Sequence, residues 1–336
     1  MSMKPFLNAH PGMTDDELRF IREMGLEHVE IYVNEAQADA ASLQAIRERF
    51  RTFGLKIAIA SCLPLQKNDV IDLDLKEKNG APASRDREIE RFNAFVRSAA
   101  AADIHTVSVA WQPTGIKRSG HAPGAHTRGG VSSFVDMCGI EALPNDYPRV
   151  YTEEEVWRNF AYFLERVSPT CRACGVRLAL HPNDPPVPSL AGVASLIWRM
   201  EDYRRAFQLD ADRVLGVKLC VGCWLEGGDS FGDLLSDIDE LQAGDRILCV
   251  HFRNVSSPLP AFEETLAEDG YADMYAIMKR LVACGYEGPI SIDHAFRGYP
   301  ALGGQLGAYA YPTGYMKGLM RAAERELAEK TQRTEA

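Results

Sequence analysis

Short apolar runs alternate with amphipathic helical runs from one end of the chain to the other. The runs at Pro5–Ala9, His28–Val33, Leu55–Ala60, His105–Ala110, Val176–His181, Val214–Cys220, Ile247–His251 and Pro289–Asp293 are short, bounded by Gly, Asp or Pro, and mostly rich in Val, Ile and Leu. That is the pattern of parallel strands buried on both faces. Between them the periodicity predicts helices near Ala38–Phe53, Asp86–Ala102, Thr152–Cys174, Ser189–Phe207, Asp229–Leu241, Met274–Cys284 and Pro312–Ala328, after a first helix that opens on Thr14-Asp15-Asp16-Glu17. That segment and Thr152-Glu153-Glu154-Glu155 are capping boxes. Gly25, Gly54, Gly175 and Gly285 each stop a helix just before a strand.

Eight strands in strict alternation with helices imply a parallel sheet with right-handed crossovers, and eight close naturally into a (β/α)8 TIM barrel, an α/β fold. An open doubly wound sheet would carry a Gly-rich phosphate loop after its first strand, and Asn8-Ala9-His10-Pro11-Gly12 is not one. Two stretches break the rhythm: a long loop after strand three, from Ser61 to about Arg85, and another after strand four, from Trp111 to Val150. Both leave the C-terminal ends of strands, where barrels build active sites, and are expected to act as lids or substrate walls. Residues 1–330 are expected to form one domain and 331–336 a flexible tail.

Four consecutive strands end in residues that ligate metals: His181, Cys220, His251 and Asp293, each roughly one strand–helix unit from the next. In a closed barrel these ends sit side by side around half the rim. Imidazole and carboxylate suit Mn, Fe, Co or Zn, and a thiolate argues against Mg and Ca. A six-coordinate ion with four protein ligands keeps two positions for a substrate, whereas a closed tetrahedral zinc would be structural.

Composition narrows the partners. With 37 Lys and Arg against 47 Asp and Glu, the net charge of −10 argues against a nucleic-acid partner. No apolar run approaches the ~20 residues of a membrane span, and no secretory signal opens the chain, so the expected setting is a cytoplasm in which the 8 Cys stay reduced. Cys171 and Cys174, although spaced as C-x-x-C, fall on a helix beside apolar positions and read as packing residues.

The C-terminal half resembles the mannonate dehydratase family, within the xylose-isomerase-like barrels. The resemblance rests on His181-Pro182-Asn183-Asp184-Pro185-Pro186, Leu219-Cys220-Val221-Gly222, Val250-His251-Phe252-Arg253-Asn254, Asp273-Met274-Tyr275, Asp293-His294 and Lys317-Gly318-Leu319. It implies the same four ligands, Mn2+ or a similar ion, His294 as a catalytic residue, and conversion of D-mannonate to 2-keto-3-deoxy-D-gluconate with loss of water. Tyr309, Tyr311 and Tyr315 compete for the family's late catalytic tyrosine, of which Tyr311 is taken here. Where the family has Asp-Asp-Pro-Pro and Asp-His-Gly-His, this chain has Asn183-Asp184-Pro185-Pro186 and Asp293-His294-Ala295-Phe296, changes in the substrate shell that leave the sugar acid open. Arg253 is expected to clamp substrate, Asn183 and Asp184 to bind hydroxyls, and Trp111 to stack on the sugar. A metal-dependent sugar isomerase or epimerase on the same barrel is the alternative; a metal-dependent endonuclease and a non-catalytic sugar-acid binder stand behind it. A homo-oligomer is plausible.

Overall fold

The structure, a computed structural model, describes residues 3–66, 84–147, 149–294 and 304–335. Eight parallel strands close a barrel: β1 (Lys4–Ala9), β2 (His28–Tyr32), β3 (Lys56–Ser61), β4 (Thr106–Ala110), β5 (Arg177–His181), β6 (Leu215–Cys220), β7 (Ile247–His251) and β8 (Pro289–Ser291). Each strand pairs with its neighbours in sequence, and β8 returns to β1. Helices pack outside, and both capping boxes are present, at Thr14/Glu17 and Thr152/Glu155. Gly25, Gly54, Gly175 and Gly285 all have positive φ, the conformation that turns a finished helix into the next strand.

Inside the barrel the side chains form layers, because successive residues of a strand face opposite sides. Phe6, Ile59, Ala179 and Cys249, from β1, β3, β5 and β7, form one apolar layer. Two residues further along the same strands, and so on the same side, come Asn8, Ser61, His181 and His251. Between these layers β2, β4 and β6 contribute Glu30, Ser108 and Lys218, with Lys218 donating to the other two. The parity of the strands therefore carries two histidines to the C-terminal mouth.

The segment after β4 is not a bare loop. Gly120–Pro123 and Val131–Asp136 form an antiparallel hairpin that pairs with Ala261–Thr265, from the segment after β7, and through it with Asn254–Val255. Of the long loop after β3, residues 67–83 lie outside the described residues, as do Ala295 and Phe296.

Several boundaries differ from the pattern-based ones. The helix expected from Ser189 starts only at Met200; Ser189–Leu190 and Val193–Ala194 instead make a small hairpin that bridges to Tyr151. The Asn183 side chain accepts from the Ile197 backbone at 2.9 Å, so this stretch braces the loop after β5. The helix expected from Asp229 begins at Leu234, capped by Asp233. The last helix runs Gly304–Glu335, carrying Pro312 inside it and continuing through residues expected to form a loose tail. β8 stops at Ser291, because Asp293 adopts φ 70° and turns the chain out of the sheet. Among the described residues no helix is long and apolar enough to cross a membrane.

The Gly175 C-cap gives a direct check of this geometry. It has φ 63°, and a side chain there meets no neighbour within 4 Å, so Gly175→Ala carries only the backbone penalty of the left-handed region. That substitution is expected to lower unfolding free energy by about 1 kcal/mol in a denaturant titration, without changing the folded spectrum.

Candidate metal centre

β5, β6 and β7 end in His181, Cys220 and His251, and candidate ligand atoms of all three lie within 4.8 Å of one another. Register explains the approach, since Cys220 and His251 are direct partners across β6 and β7. Asp293 joins from the turn after β8, its Oδ1 3.0 Å from His251 Nδ1. The turn is fixed from both sides: Asn8 Nδ2 donates to the Asp293 carbonyl at 3.0 Å, and the Asp293 N–H donates to Ser291 Oγ at 3.1 Å. All four residues singled out at the strand ends are thus brought together.

The rings present defined nitrogens. His181 Nδ1 lies 2.7 Å from the Pro182 carbonyl, which fixes the proton there and leaves Nε2 bare for an ion. Both nitrogens of buried His251 lack a hydrogen-bond partner. Its Nδ1 lies 3.0 Å from Asp293 Oδ1, so the two are held by charge rather than by an aligned hydrogen bond.

Electrostatics support the same role. Burial pushes the Cys220 thiol up, but the Cys223 hydrogen bond and the Arg253 charge outweigh it, leaving Cys220 well below its ordinary range. Burial likewise opposes ionisation of Asp293, and the charges of His251 and His294 overcome it. For His251, burial favours the neutral ring, yet Asp293 dominates and raises its pKa to about 10. A proton on His251 therefore stands where a divalent ion would place its charge. Two anionic groups and two imidazoles with an unpartnered buried nitrogen edge fit a borderline divalent metal.

Arg253, two residues beyond His251, is buried beside the ligands with every guanidinium nitrogen engaged. Nε donates to Asp293 at 3.2 Å, Nη1 to Glu226 at 2.6 Å, and Nη2 lies 3.5 Å from Asp184 and 3.6 Å from Cys220 Sγ. The guanidinium rests on Gly222, where a Cβ would come within 2.4 Å of Cζ, so the glycine after Cys220-Val221 is a matter of clearance. A substrate clamp was expected of Arg253; the structure spends its donors on the ligand shell instead. Asp184 takes Arg118 in a bidentate pair at 2.6 and 2.8 Å, and Arg118 also reaches Glu264 at 2.7 Å on the accessory sheet. Asp184, Cys223 and Glu226 also sit close enough to hold an ion, but the Arg118 and Arg253 guanidiniums already supply the positive charge there.

The remaining expected residues separate into two groups. His294 is half-exposed at the mouth, with its nitrogens 3.5 Å from Glu264 and from Asp293. Tyr311 is exposed on the last helix, where its hydroxyl donates to Glu268 at 2.5 Å and accepts from Arg128 at 3.2 Å. Trp111 and Asn183 point elsewhere than expected. The Trp111 ring is buried against Phe160 and Phe163, and Asn183 is consumed by backbone contacts to Ile197 and Trp111. Asp184 is buried and paired rather than open to a hydroxyl. Sequence reasoning missed Arg118, Glu226, Glu264 and the Glu30–Lys218 pair; it also missed Asn8 and Ser61, whose Oδ1 and Oγ are buried without partners in the layer of His181 and His251. For Glu30, Lys218 and Ser61 the readable signal was a charge or hydroxyl interrupting an apolar strand.

Comparison with known proteins places this geometry. The D-mannonate dehydratase (UxuA) family model matches residues 137–330. The mannonate dehydratase of Streptococcus pneumoniae (strain 70585) is 27% identical over 315 residues, covering 83% of this chain and 82% of that protein. That of Streptococcus suis (strain 05ZYH33) is 28% identical over 307 residues, 80% of each. The crystal structure of mannonate dehydratase from Streptococcus suis serotype 2 shares the fold with a TM-score of 0.83 at 24% identity, covering 97% of this chain and 96% of that one. A xylose isomerase domain protein from Planctomyces limnophilus shares the barrel more distantly, with a TM-score of 0.57 at 11% identity over 98% of this chain and 99% of that one. The matched span takes in more than half the chain and all four strand-end candidates, from His181 to Asp293, and the chain belongs to the D-mannonate dehydratase family.

Proposed function

We propose that this chain is a metal-dependent hydro-lyase that converts D-mannonate to 2-keto-3-deoxy-D-gluconate. The observation that carries the reading is the convergence of His181, Cys220, His251 and Asp293 at one mouth of a barrel of this family. Mn2+ is the proposed ion, with Fe2+, Co2+ and Zn2+ compatible with the same donors. The proposed partner is a small sugar acid.

The chemistry asks for two proton transfers and a stabilised charge. The hydrogen at C2 of a sugar acid is a very weak acid, and the 3-hydroxyl is a poor leaving group until protonated. A divalent ion held by the four ligands supplies the positive charge that a carbanion beside a carboxylate requires. His294 is proposed to move one proton: it directly follows Asp293, is half-exposed, and has Glu264 and Asp293 each 3.5 Å from a ring nitrogen. Tyr311 is proposed as its partner from the last helix, with Glu268 and Arg128 holding the phenol. Arg253, Asp184, Asn183 and Trp111 form the wall behind these groups. The unpartnered Asn8 Oδ1 and Ser61 Oγ offer acceptors to substrate hydroxyls in the ligand layer.

Incubating the protein with Mn2+ and a panel of C5 and C6 sugar acids is expected to yield a 2-keto-3-deoxy acid from D-mannonate, read as a thiobarbituric-acid chromophore. An isomerised or epimerised sugar without that chromophore would point to the isomerase reading. His294→Asn is expected to lower kcat by roughly 10²–10⁴-fold while leaving metal content unchanged. Metal binding must displace the proton of His251, whose pKa is about 10 in the metal-free protein, whereas Cys220 and Asp293 are already held ionised. Apparent metal affinity should therefore rise with pH between 6 and 9 by about tenfold per unit, with about one proton released per ion in calorimetry at several buffer ionisation enthalpies. Affinity flat across that range would mean that His251 is already neutral in the metal-free protein and overturn the raised pKa.

A further inference from the structure

Barrels of this type fill their interior with branched apolar side chains, yet the middle layer here is charged. Glu30 on β2 and Lys218 on β6 are both buried. Lys218 Nζ donates to the two Glu30 oxygens at 2.7 Å each and to Ser108 Oγ at 3.3 Å. Desolvating two charges is costly, and a well-packed apolar pair commonly serves stability as well or better. Holding the barrel together therefore does not account for the pair.

Its position does. Glu30 Oε2 lies 3.9 Å from His251 Nε2, while the Nδ1 edge of the same ring faces Asp293 at 3.0 Å. For His181, the nitrogen turned away from the ligand cluster is held by the Pro182 carbonyl at 2.7 Å. Neither His251 nitrogen has such a hydrogen-bond partner, and Glu30 is the acceptor standing on its far side. Metal-bound histidines depend on such a partner to fix the ring and its tautomer. Because Lys218 occupies both Glu30 oxygens, the carboxylate stays anionic and is not free to enter the coordination sphere itself.

We propose that Glu30 is a positioning residue of the metal centre, holding the His251 ring by the nitrogen turned away from the ion, with Lys218 tethering it outside the ligand set. The inference rests on the metal reading above and concerns a layer of the barrel that contributes no ligand.

The test uses the full chain as wild type, Glu30→Gln, Glu30→Gln/Lys218→Met and Cys220→Ser. Co2+ affinity is measured by chelator competition, with the visible spectrum of the Co2+ complex and the thermal unfolding of the metal-free protein. Glu30→Gln is expected to weaken Co2+ binding by about 10–100-fold and to shift the d–d bands. The double variant is expected to unfold at a temperature close to that of wild type and still bind Co2+ weakly, which separates positioning from folding. Wild-type affinity and spectrum in Glu30→Gln, with Co2+ lost in Cys220→Ser, would overturn this inference alone. Unchanged Co2+ binding in both Glu30→Gln and Cys220→Ser would overturn the metal reading with it. A loss in Glu30→Gln as complete as in Cys220→Ser would make Glu30 a ligand and overturn the positioning role.

Discussion

The mouth of this barrel depends on one guanidinium. Asp184, Glu226, Asp293 and the Cys220 sulfur approach one another in a buried space, and Arg253 touches all four. Like charges desolvated together repel strongly, and a carboxylate without a partner takes up a proton rather than stay ionised. Arg253 adds to the charges of His251 and His294 that keep Asp293 ionised, and to the Cys223 hydrogen bond that holds Cys220 below its ordinary range. Its planar fork matters, because a lysine would offer one compact charge instead of five N–H donors fixed in one plane. Gly222 is part of the same arrangement, as the flat surface on which the fork lies.

The barrel interior repeats this division between groups that bind and groups that hold. Parity decides which residues can do which: on β5 and β7 the inward positions nearest the C-terminal end are His181 and His251, and the positions two residues earlier are Ala179 and Cys249 in an apolar floor. The intervening layer comes from the even strands, and its polar content brings Glu30 to 3.9 Å from the His251 ring. Around this centre the barrel wall is conventional, with Leu178, Leu180, Val217, Leu219 and Val250 packed outward against the helices.

Much of this was legible because it is local in sequence. A strand end is the last residue of an apolar run, so His181, Cys220 and His251 could be picked out without knowing their partners. Asp293 was found too, although its strand closes at Ser291, because the turn that delivers it is only two residues long. Helix caps were equally local, and Thr14, Thr152 and Gly175 sit where the residue types say they should. What escaped were pairings between distant segments. Arg118 meets Asp184 from 66 residues away and Glu264 from 146, in stretches whose Gly-rich or irregular composition carries no periodic signal. Glu30 and Lys218 are 188 residues apart; each interrupts an apolar run, but nothing in either run says that the other lies across the barrel. Trp111 misled for the opposite reason: a large aromatic at a strand end reads as a sugar platform, yet helix residues Phe160 and Phe163 claim its ring.

The accessory sheet has a consequence for how the mouth is assembled. Its strands come from two segments, one leaving β4 and the other β7, and the central contact pairs Val131–Asp136 with Ala261–Thr265. A lone two-stranded hairpin is marginal in water. Each segment therefore completes the other's hydrogen bonding, and the salt bridge from Arg118 to Glu264 spans the same seam. The two segments are a single cooperative unit despite their separation along the chain. Because side chains alternate between the two faces of each strand, an insertion or deletion in one segment would shift its register against the other and turn its side chains to the opposite face.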